Sequence, residues 1–384
     1  MLNHHNNRKF VKTICIIITI FLTILIGILM YMDYIQEQER ASYYRELNRQ
    51  QQEQEETEVA SLDELEANAS FYQKLSDGFD VNILIIGDSI GANAGASDTM
   101  LAWTNLVMLH LQKKYDVNVF LTNISMGGNS SYAGYVRTMA LADDIDYDLA
   151  ILCYGQNDDI TNFGMYYESI IRAIRNKYKK CSLMSILESS QKEYTEKMMT
   201  IQEIAEYYNI LVADTIMPFT EGTHGTYDEL TNDGVHPNDA GQKLYAETIC
   251  EIIDREVAYY SEFDKVELAP IYENVLNFDN FMWIDVSQFE KIDNTYIYTI
   301  SEQISGILGI DYTFLSGNNI CTIKIDREDF ATLEVTFNYD FSRRYIKTVK
   351  NEKIDVNDVI EICFDSEEQA AGFKGICFSW RDST

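Results

Sequence analysis

The sequence is poor in the residues that several classes of protein require. It has 30 basic side chains against 61 acidic ones, a formal net charge of −31. It therefore lacks the basic surface that nucleic acid demands, and no nucleic-acid partner is expected. Three prolines, 19 glycines and seven cysteines in 384 residues exclude collagen-like and disulfide-scaffold classes. No two cysteines have the CxxC spacing of a zinc ribbon or a thioredoxin-type motif.

Motifs that hold phosphates or metals are also missing. The sequence contains no GxxxxGK[ST] or GxGxxG phosphate loop and no HExxH pair. Asp144, Asp146 and Asp148 begin like an EF-hand loop, but Leu149 stands where that loop needs a glycine. We therefore expect no cofactor and no metal.

One hydrophobic run is long enough to cross a membrane. Thr13–Met32 is 20 residues without a charge, about 30 Å of helix at 1.5 Å per residue. A signal peptide should end in a short small-residue cleavage site, which ILMYMDY lacks. A core helix would not be apolar on every face. The run predicts a single uncleaved anchor.

Basic residues flank this run on both sides. The three before it and the three after it are Arg8, Lys9 and Lys12, and Arg40, Arg45 and Arg49. The preceding cluster lies closer to the membrane, and a long acidic segment is translocated largely regardless of its charge. We expect a single-pass protein of the cell membrane, with its N-terminus inside and the bulk of the chain extracellular.

Composition divides the chain into five parts. After the anchor, a Gln- and Glu-rich segment without glycine or proline predicts a helical or semi-stiff stalk. Two globular regions of different pattern follow. The predicted bounds are 1–12 for a cytoplasmic tail, 13–32 for the anchor, 33–75 for the stalk, 76–262 for the first region and 263–384 for the second.

Residues 76–262 alternate short apolar runs with amphipathic stretches. Near-continuous apolar strands separated by helices indicate a parallel sheet covered on both faces, a doubly wound α/β fold. A last helix begins behind an Asn238/Asp239 cap. The predicted strands are Val81–Ile86, Val117–Asn123, Leu149–Tyr154, Ser182–Leu187 and Ile210–Asp214.

Residues 263–384 have a different pattern. Segments such as TYIYTI, CTIKI, TLEVTF and VIEICF are short, β-branched and aromatic, with turn signals between them. They predict an all-β domain, a sandwich, and we expect it to fold separately from the α/β region.

Polar segments follow four of the predicted elements. Gly87-Asp88-Ser89 ends the first strand, Asn123–Asn129 follows the second, and Gly155–Asp158 follows the third. Asp233–Pro237 lies beyond the fifth strand, before the last helix. The carboxyl ends of parallel strands share one edge of a sheet, so these segments should converge on one crevice. A serine at a strand-to-helix turn lifts its hydroxyl into such a crevice.

This set of segments resembles the SGNH/GDSL hydrolase superfamily over roughly residues 80–260. The four family blocks carry Ser, Gly, Asn and His, and they match Ser89, Gly128, Asn157 and His236 in order and spacing. The resemblance implies a flavodoxin-like sheet and a Ser-His-Asp triad.

The resemblance also implies a role for each residue. Ser89 would be the nucleophile, His236 its general base, and Asp233 the carboxylate that orients the imidazole. The backbone N–H groups of Ser89 and Gly128 and the side-chain amide of Asn157 would form the oxyanion hole.

Some assignments stay open at this point. Gly127 adjoins Gly128, so the oxyanion glycine could be one residue earlier. Asn157 could cap the following helix instead. His110 and His224 are the other histidines beyond the stalk, and the apolar setting of His110 favours packing.

The leading interpretation is a serine esterase that removes small acyl groups, such as acetyl, from a surface glycan or another acylated molecule. An O-acyltransferase using the same triad, with a sugar hydroxyl as acceptor, is the first alternative. A non-enzymatic surface binding protein is the second, with Trp283 and Trp380 as candidate sugar contacts, although tryptophans in such strands are more typical of a sandwich core. Turnover of an acyl donor with and without an oligosaccharide acceptor separates the two enzymatic readings.

Overall fold

The N-terminal part of the chain is one long helix. The computed structural model describes residues 3–259 and 268–382. Helix α1, Asn3–Asn68, includes the apolar run and the predicted stalk only as far as residue 68. Residues 69–75, which the sequence assigns to the stalk, belong instead to the compact unit that begins at Ala69, and Phe71, Tyr72 and Leu75 are buried in its core. Its segment Ile16–Gln38, 23 residues, is long and apolar enough to cross a membrane, a property that a signal sequence near an N-terminus shares. The predicted apolar helix is confirmed.

Five parallel strands form the sheet of the α/β region. Their order is β2-β1-β3-β4-β5, the flavodoxin-like order, which confirms the predicted fold class. The strand bounds lie within two residues of those predicted. The strands are β1 Val81–Gly87, β2 Val119–Asn123, β3 Leu149–Cys153, β4 Ser182–Leu187 and β5 Leu211–Asp214.

Helices cover both faces of this sheet, because its strands are apolar on both sides. One core packs α4, α5 and α6 against one face, and a second core packs α2, α3 and α8 against the other. The Asn238 side chain accepts from the Ala240 N–H at 3.0 Å, so it caps α8 as predicted. The helices are α2 Phe71–Asp77, α3 Trp103–Tyr115, α4 Ser131–Met139, α5 Ile160–Lys177, α6 Glu196–Tyr208, α7 Ile216–Thr220 and α8 Asp239–Tyr259.

The C-terminal region consists of two antiparallel sheets, β11-β10-β13-β8-β7 and β12-β9-β14-β6. A shared apolar core contains side chains of both sheets, as the predicted sandwich requires. Trp283 and Trp380 pack against apolar cores. The elements are β6 Asn280–Asp285, β7 Glu290–Ile292, β8 Thr295–Thr299, β9 Ile304–Phe314, β10 Gly317–Ile325, β11 Glu328–Phe337, β12 Arg343–Val356, β13 Val359–Phe364, α9 Glu367–Ala370 and β14 Phe373–Trp380.

The α/β and β regions share a core. Phe278, Ile346 and Cys377 belong to the same apolar cluster as Tyr132 and the rest of one face of the α/β sheet. Accordingly, the chain from Ala69 onward is one compact unit. This packing argues against the expectation that the β region folds separately. The predicted boundary between residues 262 and 263 lies outside the described residues.

Polar contacts also join the α/β and β regions across their interface, which we call the seam. The Tyr135 hydroxyl donates to the Phe278 carbonyl oxygen at 2.9 Å, and Arg172 pairs with Asp279 at 3.0 Å. The buried Glu168 carboxylate accepts from the Tyr272 N–H at 2.9 Å. An unpaired buried carboxylate is costly, so losing the β region would destabilise the α/β region as well.

We therefore expect a chain that ends at residue 262 to lose cooperative folding. Tyr132, Tyr135 and Tyr166, which pack against Phe278, would be exposed, so the shortened chain should bind a hydrophobic dye and lose near-ultraviolet circular dichroism, as expected when specific packing is lost. The full-length chain, compared in the same detergent, should unfold residues 69–384 in a single thermal transition. A sharp transition in the shortened chain would contradict the shared core.

Candidate active site

Ser89 lies in the turn that follows β1. Asp88 is buried and its carboxylate accepts from the Ile90 N–H at 2.9 Å, which closes the turn. Gly87 and Gly91 flank it, and a Cβ on Gly87 would lie 2.7 Å from the Cys153 carbonyl oxygen. Only residues without side chains fit there, so the turn is tight and the Ser89 side chain stands at the carboxyl edge of the sheet.

The structure brings Ser89, His236 and Asp233 together. The Ser89 Oγ lies 2.9 Å from His236 Nε2, and His236 Nδ1 lies 2.7 Å from Asp233 Oδ2. With the Nδ1 proton donated to Asp233, the hydroxyl of Ser89 donates to Nε2. This arrangement can pass the hydroxyl proton to the imidazole while the carboxylate stabilises the resulting cation.

Asp233 is held as a carboxylate. Burial alone would raise its pKa, but hydrogen bonds from the His236 N–H, the His236 ring and the Val235 N–H lower the pKa of Asp233 to about 2. The second carboxylate oxygen accepts the two backbone bonds at 2.8 and 3.0 Å. Asp233 is therefore ionised throughout the neutral range and fixed in orientation.

Backbone pairing holds the histidine loop in place. Thr231 and Pro237 form a short antiparallel bridge, and the Asn232 N–H donates to the His236 carbonyl at 2.9 Å. The Asn232 side chain donates to the Gly95 carbonyl at 2.7 Å, which ties the loop to the segment after Ser89. The imidazole position is thus fixed from both sides.

The other two histidines beyond α1 lie elsewhere. His110 Nε2 is 3.0 Å from Asp254, so it makes a hydrogen-bonded contact between α3 and α8 and not the apolar packing expected from sequence. His224, which has Glu221 three residues before it, is exposed in a loop. Neither contacts Ser89.

Both candidate oxyanion glycines lie beside the serine. A Cβ on Gly127 would lie 3.6 Å from the Ser89 Cβ, and Gly128 has a φ of +75° that favours glycine. Within residues 3–259 and 268–382, the backbone N–H groups of Ser89, Gly127 and Gly128 donate no hydrogen bond. Free donors at this edge can receive an anionic oxygen, and the N–H groups of both glycines are available for this.

Asn157 points toward the serine turn. Its side-chain amide donates to Asp88 Oδ2 at 2.9 Å, which leaves the second amide hydrogen free. Asp159, whose side chain accepts from the Thr161 N–H, caps α5. The alternative that Asn157 caps this helix is therefore wrong.

Three carboxyl groups, those of Asp88, Asp158 and Glu188, are buried beneath the site. The sequence motifs did not predict this cluster. Glu188, directly after β4, accepts from the Gln156 N–H at 3.0 Å and from the Cys153 thiol at 3.3 Å. Asp158 accepts from the N–H and hydroxyl of Ser131, at the start of α4. An acidic residue at the end of a fully buried strand was the available signal.

Burial raises the pKa values of Glu188 and Asp88, two members of this cluster. Burial raises the pKa of Glu188 to about 7, and the charge of Asp158 adds to the rise. Burial, followed by the charge of Glu188, raises the pKa of Asp88 well above its usual range. Because Asp88 holds the Asn157 amide, this carboxyl pair lies directly behind one wall of the site.

The β region holds the glycine loop. Asn129 is buried, its side-chain amide donates to the Arg344 carbonyl at 2.9 Å, and its oxygen accepts from the Ile346 N–H at 3.0 Å. The side chain therefore pairs with β12 as a neighbouring strand would. The position of Gly127 and Gly128 depends on this strand, which sequence patterns did not reveal.

A serine, a histidine and a carboxylate lie in this contact order at the edge of a flavodoxin-like sheet, an arrangement typical of Ser-His-Asp hydrolases. Residues 85–244 match the model of the GDSL-like Lipase/Acylhydrolase family. The α/β region therefore belongs to that family, whose members of the SGNH/GDSL type are carboxylic-ester hydrolases.

Two solved structures illustrate what this chain is similar to, and the first of them shares its fold. A two-domain esterase (CEX) active on acetylated mannans, co-crystallized with mannopentaose, is 18% identical with a TM-score of 0.68, over 81% of this chain and 94% of that chain. The acetyl xylan esterase AlAXEase is 20% identical with a TM-score of 0.38, over 45% of this chain and 99% of that chain. The first match extends over both regions of the fold. No curated protein has a significantly similar sequence.

The buried carboxyl pair predicts an unusual pH dependence of stability. A carboxyl group whose folded pKa is raised stabilises the fold fully below its unfolded pKa, near 4.5, and loses that contribution as pH rises through about 7. Glutamine mimics the neutral form. We expect Glu188→Gln to be more stable than the wild type at pH 8, by on the order of 1–3 kcal/mol, and to lose this advantage at pH 5.

Thermal unfolding at a series of pH values measures this difference. The exposed Glu193 provides the matched control, since Glu193→Gln should follow the wild type at every pH. Parallel curves for Glu188→Gln and the wild type would contradict the raised pKa.

Proposed function

We propose that Ser89, His236 and Asp233 are the catalytic triad of an esterase that removes small acyl groups, such as acetyl, from a glycan outside the cell. The observation that carries the proposal is the unbroken contact from the Ser89 hydroxyl through the His236 ring to the Asp233 carboxylate, at 2.9 and 2.7 Å. Hydrogen-bond reach between nucleophile, base and orienting group is the mark of such a triad.

The reaction proceeds in two half-reactions. The Ser89 Oγ attacks the ester carbonyl carbon while His236 Nε2 takes the hydroxyl proton. Collapse of the tetrahedral intermediate breaks the bond to the sugar oxygen, which leaves with that proton and frees the sugar alcohol. Water then attacks the acyl-serine in the same way, and the carboxylic acid and free Ser89 result.

The oxyanion hole consists of the N–H groups of Ser89 and Gly128 and the free amide hydrogen of Asn157. Each donor of this kind contributes roughly 10²–10³ in rate. Asp88 positions Asn157 from behind, and Asn129 positions the glycine loop through β12. Both supports are buried, so the donors are held in place before substrate arrives.

The glycan and the extracellular location rest on further observations. The uncharged run Thr13–Met32 of α1 supports an uncleaved anchor with the catalytic region outside, since the basic residues on its N-terminal side lie closer to it than those on its C-terminal side. The esterase that shares both parts of the fold acts on acetylated mannans. The β region also adjoins the proposed oxyanion loop, so it is placed to contact what the acyl group is attached to.

Single substitutions in the triad should each abolish most of the activity. Because triad members act as a unit, Ser89→Ala and His236→Ala should each lower kcat by about 10³-fold or more, and the double variant by little more. Asp233→Asn should lower kcat by roughly 10²–10⁴-fold because the imidazole loses its orienting carboxylate. Hydrolysis of 4-nitrophenyl acetate measures the effect, and His224→Ala is the control. Normal turnover by His236→Ala would refute the assignment.

The topology has its own test. If the apolar segment is retained and the N-terminus is inside, protease added to intact cells should remove residues beyond the anchor. An N-terminal tag should survive, still attached to the membrane. Protection of the whole chain would contradict the orientation, and recovery of a soluble chain lacking the apolar segment would show cleavage.

A further inference from the structure

The segment between β11 and β12 carries an aromatic cluster. Phe337, Tyr339 and Phe341 lie with ring centroids 4.9–5.7 Å apart. The Arg343 guanidinium lies over all three rings, 5.2–5.5 Å from their centroids. We call residues 337–343 the aromatic turn.

The aromatic turn touches the proposed oxyanion loop. A Cβ on Gly128 would lie 2.3 Å from Arg343 Nη1, so the guanidinium rests on the bare backbone of this glycine. Gly127, the preceding residue, lies against Ser89. Consecutive Cα atoms are about 3.8 Å apart, so only the width of Gly127 separates the position of Arg343 from Ser89.

Arg343 has no polar partner within the described ranges. It makes no hydrogen bond or ion pair there, although a guanidinium carries five N–H donors. The adjacent Arg344, in contrast, is paired with the buried Asp311. Although the chain has 61 acidic residues, none within the described ranges pairs with Arg343 at the edge of the site.

The rings of the aromatic turn are only partly used in packing. Phe337 is buried, but Tyr339 and Phe341 are 55% and 47% exposed. Exposed aromatic surface next to a few convergent polar donors is typical of small-molecule sites. The arginine side chain, held by rings on one side and glycine on the other, is preorganised.

We propose that Arg343 and the aromatic turn form the subsite for the sugar that carries the ester, in a neutral glycan. This deepens the proposed function and rests on it. Ring faces of Tyr339 and Phe341 pack against the apolar face of a sugar, and the guanidinium donates to its hydroxyl oxygens. One cation against a net charge of −31 does not offset the repulsion of a polyanionic glycan, so the neutral class is favoured.

The decisive experiment compares two acetyl esters with the full-length protein in detergent. Acetylated manno-oligosaccharide reaches the subsite, whereas 4-nitrophenyl acetate has no sugar. Arg343→Ala should lower kcat/KM for the oligosaccharide about tenfold more than for the aryl ester, chiefly through KM. Tyr339→Ala/Phe341→Ala should act in the same direction, and Arg343→Lys should fall between because the planar donors are lost but the charge stays.

Lys350 provides the matched control. It is another β12 cation over an aromatic ring, with its Nζ 4.2 Å from the Phe330 centroid. Lys350→Ala should alter the ratio of the two kcat/KM values less than twofold. Equal losses on both esters in Arg343→Ala would overturn the subsite and assign Arg343 to support of the glycine loop. No loss, or a preference for an acetylated polyanionic glycan, would overturn it as well.

Failure of the proposed function is recognised separately. If the wild type hydrolyses neither ester, the proposed esterase function is refuted. The sugar subsite is then tested by a binding measurement. Calorimetry then measures unacetylated manno-oligosaccharide binding to Ser89→Ala, which keeps the aromatic turn. Affinity that falls at least tenfold on adding Arg343→Ala supports the subsite. Absent binding, or binding that Arg343→Ala leaves unchanged, overturns it.

Discussion

The hydrogen bonds between Asn129 and β12 are the constraint on which the site most depends. A side-chain amide replaces a strand residue by donating to Arg344 and accepting from Ile346, and it is buried where water cannot substitute. Losing either bond would leave a buried polar group unsatisfied, which typically costs about 1–3 kcal/mol. The glycine loop therefore keeps its position only while the β region stays docked. The same strand begins at Arg343, so one element fixes the loop and supplies a side chain to its rim.

The opposite wall of the site depends on a different kind of contact. Asp88 binds the Asn157 amide from inside the protein, next to Glu188, and both carboxyl groups are buried. A neutral carboxyl is far cheaper to bury than a charged one, which is why their pKa values rise. Asp233 has the reverse setting, where backbone donors keep it ionised. The site thus contains one carboxylate that its hydrogen bonds keep ionised beside His236, and two carboxyl groups behind Asn157 whose ionisation is disfavoured by burial.

The sequence predicted the α/β region well because its signals are local. Each of β1 to β5 is an apolar run with a polar segment at its end, and the parallel fold carries those ends to one edge, where Ser89, Asn157 and His236 meet. The β region was predicted in class but not in its relation to the site. Contacts such as Asn129 with Ile346 join residues more than 200 positions apart, and neither residue belongs to a periodic pattern that would reveal the contact. Likewise, nothing local distinguishes Arg343 from Arg344, although one rests on Gly128 and the other pairs with Asp311.

The fusion of the two regions bears on how such a site acquires selectivity. A triad at the open edge of a sheet can attack any acyl ester that reaches it, because the chemistry involves only the ester group. Selectivity must come from contacts with the remainder of the substrate. Here those contacts are built on the strand that also positions the oxyanion loop, so substrate binding at Arg343 and the geometry of Gly128 are mechanically linked. A β region that merely tethered the enzyme to a polymer would not need a seam that continues the apolar core of the α/β sheet. The shared core supports the proposal that the β region is part of the active site.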